Sequence, residues 1–420
     1  MRGGSRIRRP RRWLAATVVV GGLLAGCTDG GETTPPTTII PGTTVPPEPR
    51  VDDGVLRLGV LLPSENPLVA DAIDSTVRTA VDSINQDGGG VLGSDVDVIA
   101  VDEGGSTTEA TQAVTSLVES GVDAIIGPIT STYAVTVVDI ASTAGVATCS
   151  PTATAGILDE MPDEMLFFRT IASDSMQATA IAETAENTGA RSAVVAHVDD
   201  AFGRPYADAV ATALDVRELD LVDLVGFTPG VDVADAVETV GDTDAEVLIV
   251  LASGPDLASF LTSLGASNPS GFETIITNDA IRTAANQPVI GELPSALRTS
   301  LIGVAPQILD RRDDADRIVF APQITDCVTL LGLSAVQANS DDPLLIAAQM
   351  PPVSSGGRTC RTFQTCATLI EQDRQVDYNG PTGLTELNRV GETVRAWFER
   401  FTFDADGTDR FEGDSFPVSI

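Results

Sequence analysis

The segment GPITST, residues 127–132, combines residue types and a position that could bind an anionic group. It lies between an apolar run and a helical stretch, so Ser131 and Thr132 come at a predicted helix N-terminus. Such ends present unpaired N–H groups and the positive end of the helix dipole, which attract a carboxylate. Ser131 could instead only cap its own helix.

The other reactive side chains do not indicate a catalytic site. His197 is the single His of the chain, stands in a predicted strand, and has no GxSxG nucleophile to serve. The acidic pairs Asp199-Asp200 and Asp341-Asp342 are sequence neighbours, and neighbours on an extended chain point in opposite directions. We therefore expect a protein that is not an enzyme, with no catalytic residues, no cofactor and no metal site.

The composition excludes several further function classes. The 420 residues contain 25 basic residues, all of them Arg, and 60 acidic residues, which gives a formal charge of -35. Without Lys, the chain has neither Schiff-base chemistry nor a P-loop, and one His cannot form an HExxH zinc site. We expect no binding to nucleic acid, because phosphate binding relies on clustered Lys and Arg.

The elements that would position the polar loops alternate between strands and helices. Apolar runs of strand length occupy residues 55–62, 95–101, 122–127, 146–150, 192–198, 221–227, 245–252 and 273–277. Helical periodicity lies between them, and one helix is predicted to begin near Asp174 as its N-cap. Alternation with nearly continuous apolar strands indicates parallel sheets covered on both faces. The predicted fold class is α/β, with two doubly wound parallel-sheet lobes.

The segment after Ala305 breaks this alternation. It contains a predicted helix around Asp326–Ala338, a Cys-bearing loop at 353–366 and the sequence DYNGPTG at 377–383. Because it starts no new series, we expect it to return and complete the two lobes through a multi-crossover hinge. The predicted boundaries are 51–172 and 304–374 for the first lobe, 173–303 for the second lobe, and 375–420 for a C-terminal segment mostly in the second lobe.

The N-terminal residues have the pattern of an export signal. Six Arg lie in residues 1–12, and an apolar run from Trp13 to Ala25 is followed by Gly and Cys27. The run is too short for a membrane-spanning helix, which needs about 20 residues. LLAGC at 23–27 resembles a bacterial lipobox, which implies removal of residues 1–26 and a lipid on Cys27. The pair Arg11-Arg12 leaves Sec and twin-arginine export both open.

The residues after Cys27 predict a tether. Thr and Pro make up 13 of the 23 residues from Thr28 to Arg50. Without apolar periodicity the segment 27–50 cannot bury a core, so we expect it to stay extended. It would hold a globular body away from the outer face of a bacterial cell membrane.

Four Cys remain after the predicted lipidation site. An even number in an exported protein favours disulfides. Cys360 and Cys366 are close in sequence, and we predict a bridge between them. Cys149 and Cys327 would form a second bridge or stay buried thiols.

Six short segments occur in an order and spacing typical of one protein family. They are GGGVLG at 88–93, GVDAIIGPITS at 121–131, SPTAT at 150–154, FFRT at 167–170, DDAFGRPYADA at 199–209 and DYNGPTG at 377–383. Together they resemble the type I periplasmic solute-binding proteins of branched-chain amino acid ABC importers. The resemblance covers about Val55 to Arg410. It implies two lobes joined by three crossovers, a ligand in the cleft, and delivery to a membrane permease with its ATPase.

The resemblance also implies positions for the ligand contacts. The family binds the ligand's carboxylate and amine with the loop that here is SPTAT, which points to Thr152, Ala153 and Thr154. An aromatic residue covers the ligand, here Phe202, which lacks the hydroxyl of the Tyr common at that position. Asp279 stands where the family places a carboxylate facing the ligand's ammonium. The alternatives are a plain polar turn for SPTAT, a core role for Phe202 and a solvated Asp279.

The sequence therefore predicts a lipid-anchored, extracytoplasmic substrate-binding protein of an ABC importer. Its small-molecule ligand would be an amino acid or a related solute that carries a carboxylate. Two alternatives remain: a ligand-sensing receptor module without transport, and an exported hydrolase that would have to use His197. Neighbouring permease and ATPase genes, as opposed to a sensor gene, distinguish transport from sensing.

Overall fold

Parallel strands and the helices between them make up most of the described chain. The computed structural model describes residues 52–63, 67–161, 165–200, 202–252, 254–267, 272–282, 286–307, 320–383 and 386–419. Cys27, the predicted export signal and the predicted tether lie outside these residues. Within the described ranges, no helix has both the length and the apolar character needed to cross a membrane.

The first lobe contains a five-stranded sheet in which every pair of neighbours is parallel. Its elements are β1 Arg57–Leu62, α1 Pro67–Asp87, β2 Asp97–Asp102, α2 Thr107–Glu119, β3 Ala124–Ile126, α3 Ser131–Thr143, β4 Ala147–Ser150, a 3-10 turn Gly156–Glu160 and β5 Phe167–Arg169. The strand order is β2-β1-β3-β4-β5. Strands β3 to β5 are buried throughout, which explains their unbroken apolar sequences. Since all five strands run the same way, their carboxyl ends share one edge of the sheet.

The second lobe repeats this alternation around a seven-stranded sheet. It contains α4 Asp174–Asn187, β6 Ser192–Val198, α5 Gly203–Val216, β7 Asp220–Phe227, α6 Val233–Gly241, β8 Val247–Leu251, α7 Gly254–Ser267, β9 Thr274–Thr277, a 3-10 turn Asp279–Ile281, α8 Asn286–Glu292, α9 Ser295–Ser300 and β10 Leu301–Pro306. The strand order is β14-β13-β10-β9-β8-β6-β7. The α/β fold class with parallel sheets and two lobes is thereby confirmed.

The last two strands differ from the all-parallel expectation. Strand β13, Arg395–Phe403, pairs antiparallel with β10, and β14, Asp409–Ser419, pairs antiparallel with β13. Only residues 404–408 join β13 to β14, and such a short connection permits a hairpin but no parallel crossover. A hydrophobic alternation in the sequence does not reveal strand direction, so this antiparallel edge was not predicted.

The segment between β10 and β13 packs on the first lobe. It forms α10 Ala321–Ala338, α11 Pro343–Val353, β11 Arg358–Cys360, α12 Phe363–Glu371 and β12 Val376–Tyr378. Ile324, Met350 and Phe363 belong to the same buried cluster as β1 to β4, and so does Leu387. First-lobe contacts thus extend beyond residue 374, and the chain joins the second sheet at β13.

Two local features differ from the sequence predictions. Segment 353–366 is not a plain loop, because it contains β11 and the start of α12, which Thr362 caps by accepting a hydrogen bond from the Thr365 N–H. The N-cap of α4 is Ser173, whose hydroxyl accepts from the Met176 N–H, and Asp174 is the first helical residue. Asp174 is therefore free for another role.

Both pairs of Cys form disulfides. The predicted bridge between Cys360 and Cys366 is confirmed. Cys149 and Cys327 form the second bridge rather than staying thiols. Cys149 lies in β4 and Cys327 in α10, so this bridge fastens the strand that precedes the SPTAT loop to the returning segment.

Candidate ligand-binding site

The loop between β3 and α3 is held from behind by a buried carboxylate. Glu103, just after β2, accepts hydrogen bonds from the Ile129 N–H at 3.2 Å and from the Thr130 hydroxyl at 2.8 Å. Burial raises the pKa of Glu103. Thr130 is the N-cap residue of α3, and Ser131 is the first residue of the helix. Ser131 therefore does not cap α3, and its half-buried hydroxyl lies at the helix N-terminus beside the exposed Thr132.

The SPTAT loop is hydrogen-bonded to the loop before α3. The Ser150 hydroxyl donates to the Pro128 carbonyl at 2.7 Å and accepts from the Ala153 N–H at 2.9 Å. The Thr152 hydroxyl donates to the Ile129 carbonyl at 2.6 Å. The two loops thus form one unit at the carboxyl ends of β3 and β4. The Ala153 N–H and the Thr152 hydroxyl are used within that unit.

Thr154, the last residue of the motif, connects this unit to the start of α4. Its carbonyl accepts from the Asp174 N–H at 2.8 Å, and its side chain hydrogen-bonds to the Asp174 carboxyl group. Asp174 is only 4% exposed. Burial raises its pKa to about 7. From the sequence Asp174 was predicted only as a cap, because an acid at the start of a helix is usually exposed and favoured by the helix dipole.

Asp279 is the second acid at this place. It begins the 3-10 turn after β9, and the Gln177 side chain hydrogen-bonds to its carboxyl group. Gln177 also donates to the Val304 carbonyl at 2.9 Å, which fixes it between α4 and β10. Burial raises the pKa of Asp279. The negative charge of Asp279 adds to the burial that raises the pKa of Asp174. We call Asp174 and Asp279 the acid pair.

The buried cation that acts on Asp174 forms its ion pairs with other carboxylates. Arg169, at the end of β5, is fully buried and forms ion pairs with Asp159 and Glu392. It also donates to the Ala155 carbonyl at 3.3 Å, which supports the chain just beyond Thr154. The charge of Arg169 acts on Asp174 and that of Arg282 acts on Asp279, but Arg282 likewise forms its ion pairs with other carboxylates, Glu399 and Asp409.

An aromatic pair borders the site on the second lobe. Phe202 precedes α5, is half-buried, and contacts both core clusters of that lobe. Its ring meets the Tyr206 ring edge-on, with centroids 5.7 Å apart. Tyr206 is 1% exposed, and its hydroxyl has no hydrogen-bond partner among the described residues. Burial, with added repulsion from Asp174 and Asp279, raises the pKa of Tyr206.

The structure brings most of the predicted site residues into one chain of contacts. Hydrogen bonds connect the loop before Ser131 to Thr152, connect Thr154 to Asp174, and connect the Asp279 carboxyl group to α4. No hydrogen bond among the described residues links Ser131 directly to Asp279. Nor do the described ranges contain three or more His, Cys, Asp or Glu side chains grouped to hold a metal ion.

Known proteins share this sequence pattern and this fold. The profile of the periplasmic binding protein family matches residues 56–284. The chemotactic signal transduction system substrate-binding protein BasB of Halobacterium salinarum is 28% identical over 377 residues, which cover 83% of this chain and 87% of BasB.

Solved structures align over most of the chain. A leucine binding protein, LivK, from Thermotoga maritima has a TM-score of 0.68 at 16% identity, covering 87% of this chain and 99% of that one. A solute binding protein from R. palustris in complex with benzoate has a TM-score of 0.66 at 18% identity, covering 87% and 98%. One of these proteins is named for leucine, and the other was solved with benzoate.

Proposed function

This chain belongs to the periplasmic binding protein family, and on that premise we propose that it captures an α-amino acid between its lobes for an ABC importer. The observation that carries the proposal is the acid pair. Asp174 is buried beside Thr154, Asp279 is half-buried, both have raised pKa values, and neither forms an ion pair with a cation among the described residues. A ligand that carries an ammonium group would supply that cation.

The carboxylate of the ligand would bind at the first lobe. The α3 N-terminus offers backbone N–H groups, the dipole and the Ser131 and Thr132 hydroxyls. Hydrogen bonds to a carboxylate are charge-assisted and about twice as strong as neutral ones. Thr154 would assist from the neighbouring loop. Thr152 and Ala153 would shape that loop, since their side-chain and backbone donors are engaged inside it.

The ammonium of the ligand would bind at the acid pair. An ammonium has three N–H donors and no acceptor, so it requires carboxylate or hydroxyl oxygens around it. Asp279 would face it from the second lobe, and Asp174 would face it from the start of α4. The half-buried Phe202 would cover an apolar part of the ligand. The ligand would neutralise charge that the free protein leaves unbalanced.

The anchoring and the partners follow the sequence pattern. Cys27 would carry lipid, the segment 27–50 would act as the tether, and the body would face the outside of the cell membrane beside a permease and its ATPase. Intact-mass analysis of the membrane fraction tests this part by itself. An unmodified, freely secreted chain would contradict the anchoring and leave the ligand site untouched.

Ligand sensing is the second candidate function. BasB carries the words chemotactic signal transduction in its name and matches 83% of this chain. The same site would then report an amino acid to a membrane sensor. Permease and ATPase genes beside the gene for this chain support transport, whereas a lone transducer gene supports sensing.

A hydrolase has less support from the structure. His197 lies in β6 and is largely buried, with Nδ1 2.9 Å from the carbonyl oxygen of the adjacent Val198. No Ser, Thr or Cys side chain among the described residues is hydrogen-bonded to it. A substrate-turnover screen tests this alternative.

A thermal-shift screen followed by calorimetry tests the proposed ligand class. Each α-amino acid is compared with the carboxylic acid that lacks the amino group; a ligand at 100 times its dissociation constant adds about 2.7 kcal/mol. Asp279→Asn should weaken binding of the amino acid and leave the plain acid little affected. Asp235→Asn, at an exposed carboxylate in the first turn of α6, is the matched control. Equal binding of both compound classes by the unmodified protein would contradict the proposal.

A further inference from the structure

The hydroxyl group of Tyr206 is polar but lies within a buried hydrophobic cluster. Its side chain is 1% exposed, and the hydroxyl has no hydrogen-bond partner among the described residues. A buried polar atom without a partner costs about 1–3 kcal/mol, and native proteins rarely keep one without a role. Phe would fill the same space without that cost. The hydroxyl therefore requires an explanation outside the free protein.

Tyr206 lies close enough to the acid pair for both charges to act on its hydroxyl. Tyr206 lies in the first turn of α5, and its side chain belongs to the same buried cluster as Ala172 and Met176, which flank Asp174 on the chain. Phe202 closes the other side of the ring at 5.7 Å. The charges of Asp174 and Asp279 act on the hydroxyl and raise its pKa, so it stays protonated. It can then donate one hydrogen bond and accept another.

We propose that Tyr206 is a specificity-determining residue whose hydroxyl oxygen accepts a hydrogen bond from the ammonium group of the ligand. The inference rests on the proposed function of the same site and names its ligand class more narrowly. Asp174, Asp279 and Tyr206 supply three acceptors, which match the three N–H donors of a primary ammonium. The class is the primary α-amino acids; N-trimethylated amino acids and plain carboxylates lack these donors.

The presence of Phe at position 202, where Tyr is common in the family, explains why the proposed hydroxyl would come from Tyr206. Phe202 has no hydroxyl, so it cannot accept a bond from the ammonium. Tyr206 lies four residues later, on the same face of α5, where side chains one turn apart are neighbours. The Tyr206 hydroxyl thus lies one helical turn further along α5, where the charges of Asp174 and Asp279 act on it.

Tyr206→Phe tests the proposal by removing a single oxygen atom. Calorimetry compares L-leucine with 4-methylpentanoate and L-alanine with propanoate, so that each pair differs in the amino group. We expect the variant to lose about 10-fold or more in affinity for the amino acids, as for one charge-assisted bond. Affinity for the plain acids should change less than about twofold.

Tyr378→Phe is the matched control. Tyr378 is equally buried, but its hydroxyl donates to the Asp326 carboxylate at 2.8 Å. That variant should lose stability in the free protein and keep its affinities, whereas Tyr206→Phe should keep or gain stability.

The outcomes separate the two hypotheses. Parent-like binding of amino acids by Tyr206→Phe overturns the role of Tyr206, and so does an equal loss for amino acids and plain acids. A loss of stability as large as that of Tyr378→Phe assigns the hydroxyl to the fold and likewise overturns it. If the unmodified protein binds neither amino acid of the pairs nor any in the wider panel, the proposed function itself fails.

Discussion

Asp174→Asn should make the free protein more stable and its ligand binding weaker. Burial raises the pKa of Asp174 from 3.8 to about 7 in the folded chain. Because the folded state holds this proton more tightly than the unfolded state, the stabilising contribution is present below about pH 4. It is lost as pH rises from about 4 to 7. At pH 8 the charged carboxylate therefore costs the fold free energy that an amide does not cost.

The magnitude follows from the difference between the two pKa values. About three pKa units at 1.36 kcal/mol each give roughly 4 kcal/mol at pH 8, as an upper bound. Loss of the hydrogen bond between Asp174 and Thr154 returns about 1 kcal/mol. The net gain for Asp174→Asn should be roughly 1–3 kcal/mol at pH 8. At pH 4 the gain in stability should vanish or reverse, because Asp174 of the parent is then protonated and as neutral as the amide of the variant.

Two assays together test this reasoning. Urea unfolding at pH 4 and pH 8 measures the free energy of unfolding, with Asp235→Asn as control for the helix-terminal position. Calorimetry at pH 8 measures binding, where loss of one buried charge partner should cost at least about 30-fold in amino acid affinity. A variant that is less stable than the parent at pH 8 and binds like it would refute the reasoning. Asp174 would then be only a hydrogen-bonding residue of α4.

Three other outcomes are expected. Ser131→Ala should lower amino acid affinity roughly 10- to 150-fold in calorimetry, because one charge-assisted hydrogen bond is lost. Thermal stability should not change, because Thr130 rather than Ser131 is the N-cap; parent-like affinity would show that Ser131 does not bind the ligand. Replacing Cys149 and Cys327 by Ser should reduce the free energy of unfolding by about 5 kcal/mol, because this disulfide closes a loop of 178 residues. Replacing Cys360 and Cys366, which close a loop of 6 residues, should cost only about 2 kcal/mol; equal losses in urea unfolding would contradict the loop-entropy account. The thermal midpoint should rise when the ionic strength is raised from about 0.01 to 0.15 M, because the Debye length falls from about 30 to 8 Å and screens the repulsion among an excess of acidic residues, 60 against 25 Arg. A midpoint that does not change with salt would show that these charges do not repel one another measurably.

The alternation of strands and helices was predictable because each element carries its own pattern. Buried parallel strands such as β6 and β8 read as unbroken apolar runs, and the helices between them show a period near 3.6. The antiparallel end of the second sheet was not predictable in this way. Direction depends on how the chain returns after α12, and that path is set by tertiary packing rather than by local sequence.

Some residues of the candidate site could be predicted from the sequence, and others could not. Ser131 and Thr154 could be selected from the sequence because they follow apolar strands, where parallel sheets present their ligand loops. Asp174 could not, since an acid in a first helical turn is usually exposed and favoured by the helix dipole. Only the fold shows that Asp174 is buried against Thr154, with Asp279 close enough to add to the cost of its charge.

The charge on the acid pair lowers the stability of the free protein, and a bound ammonium group would reverse this effect. Charging Asp174 lowers stability above about pH 4, and Asp279 has a pKa shifted in the same direction by burial. An ammonium between them would lower both pKa values and release protons on binding at or below neutral pH. The free energy that the fold loses in keeping two carboxylates unpaired would thus return as ligand affinity. The enthalpy of binding should depend on the ionisation enthalpy of the buffer near pH 7, and lose part of that dependence in Asp174→Asn.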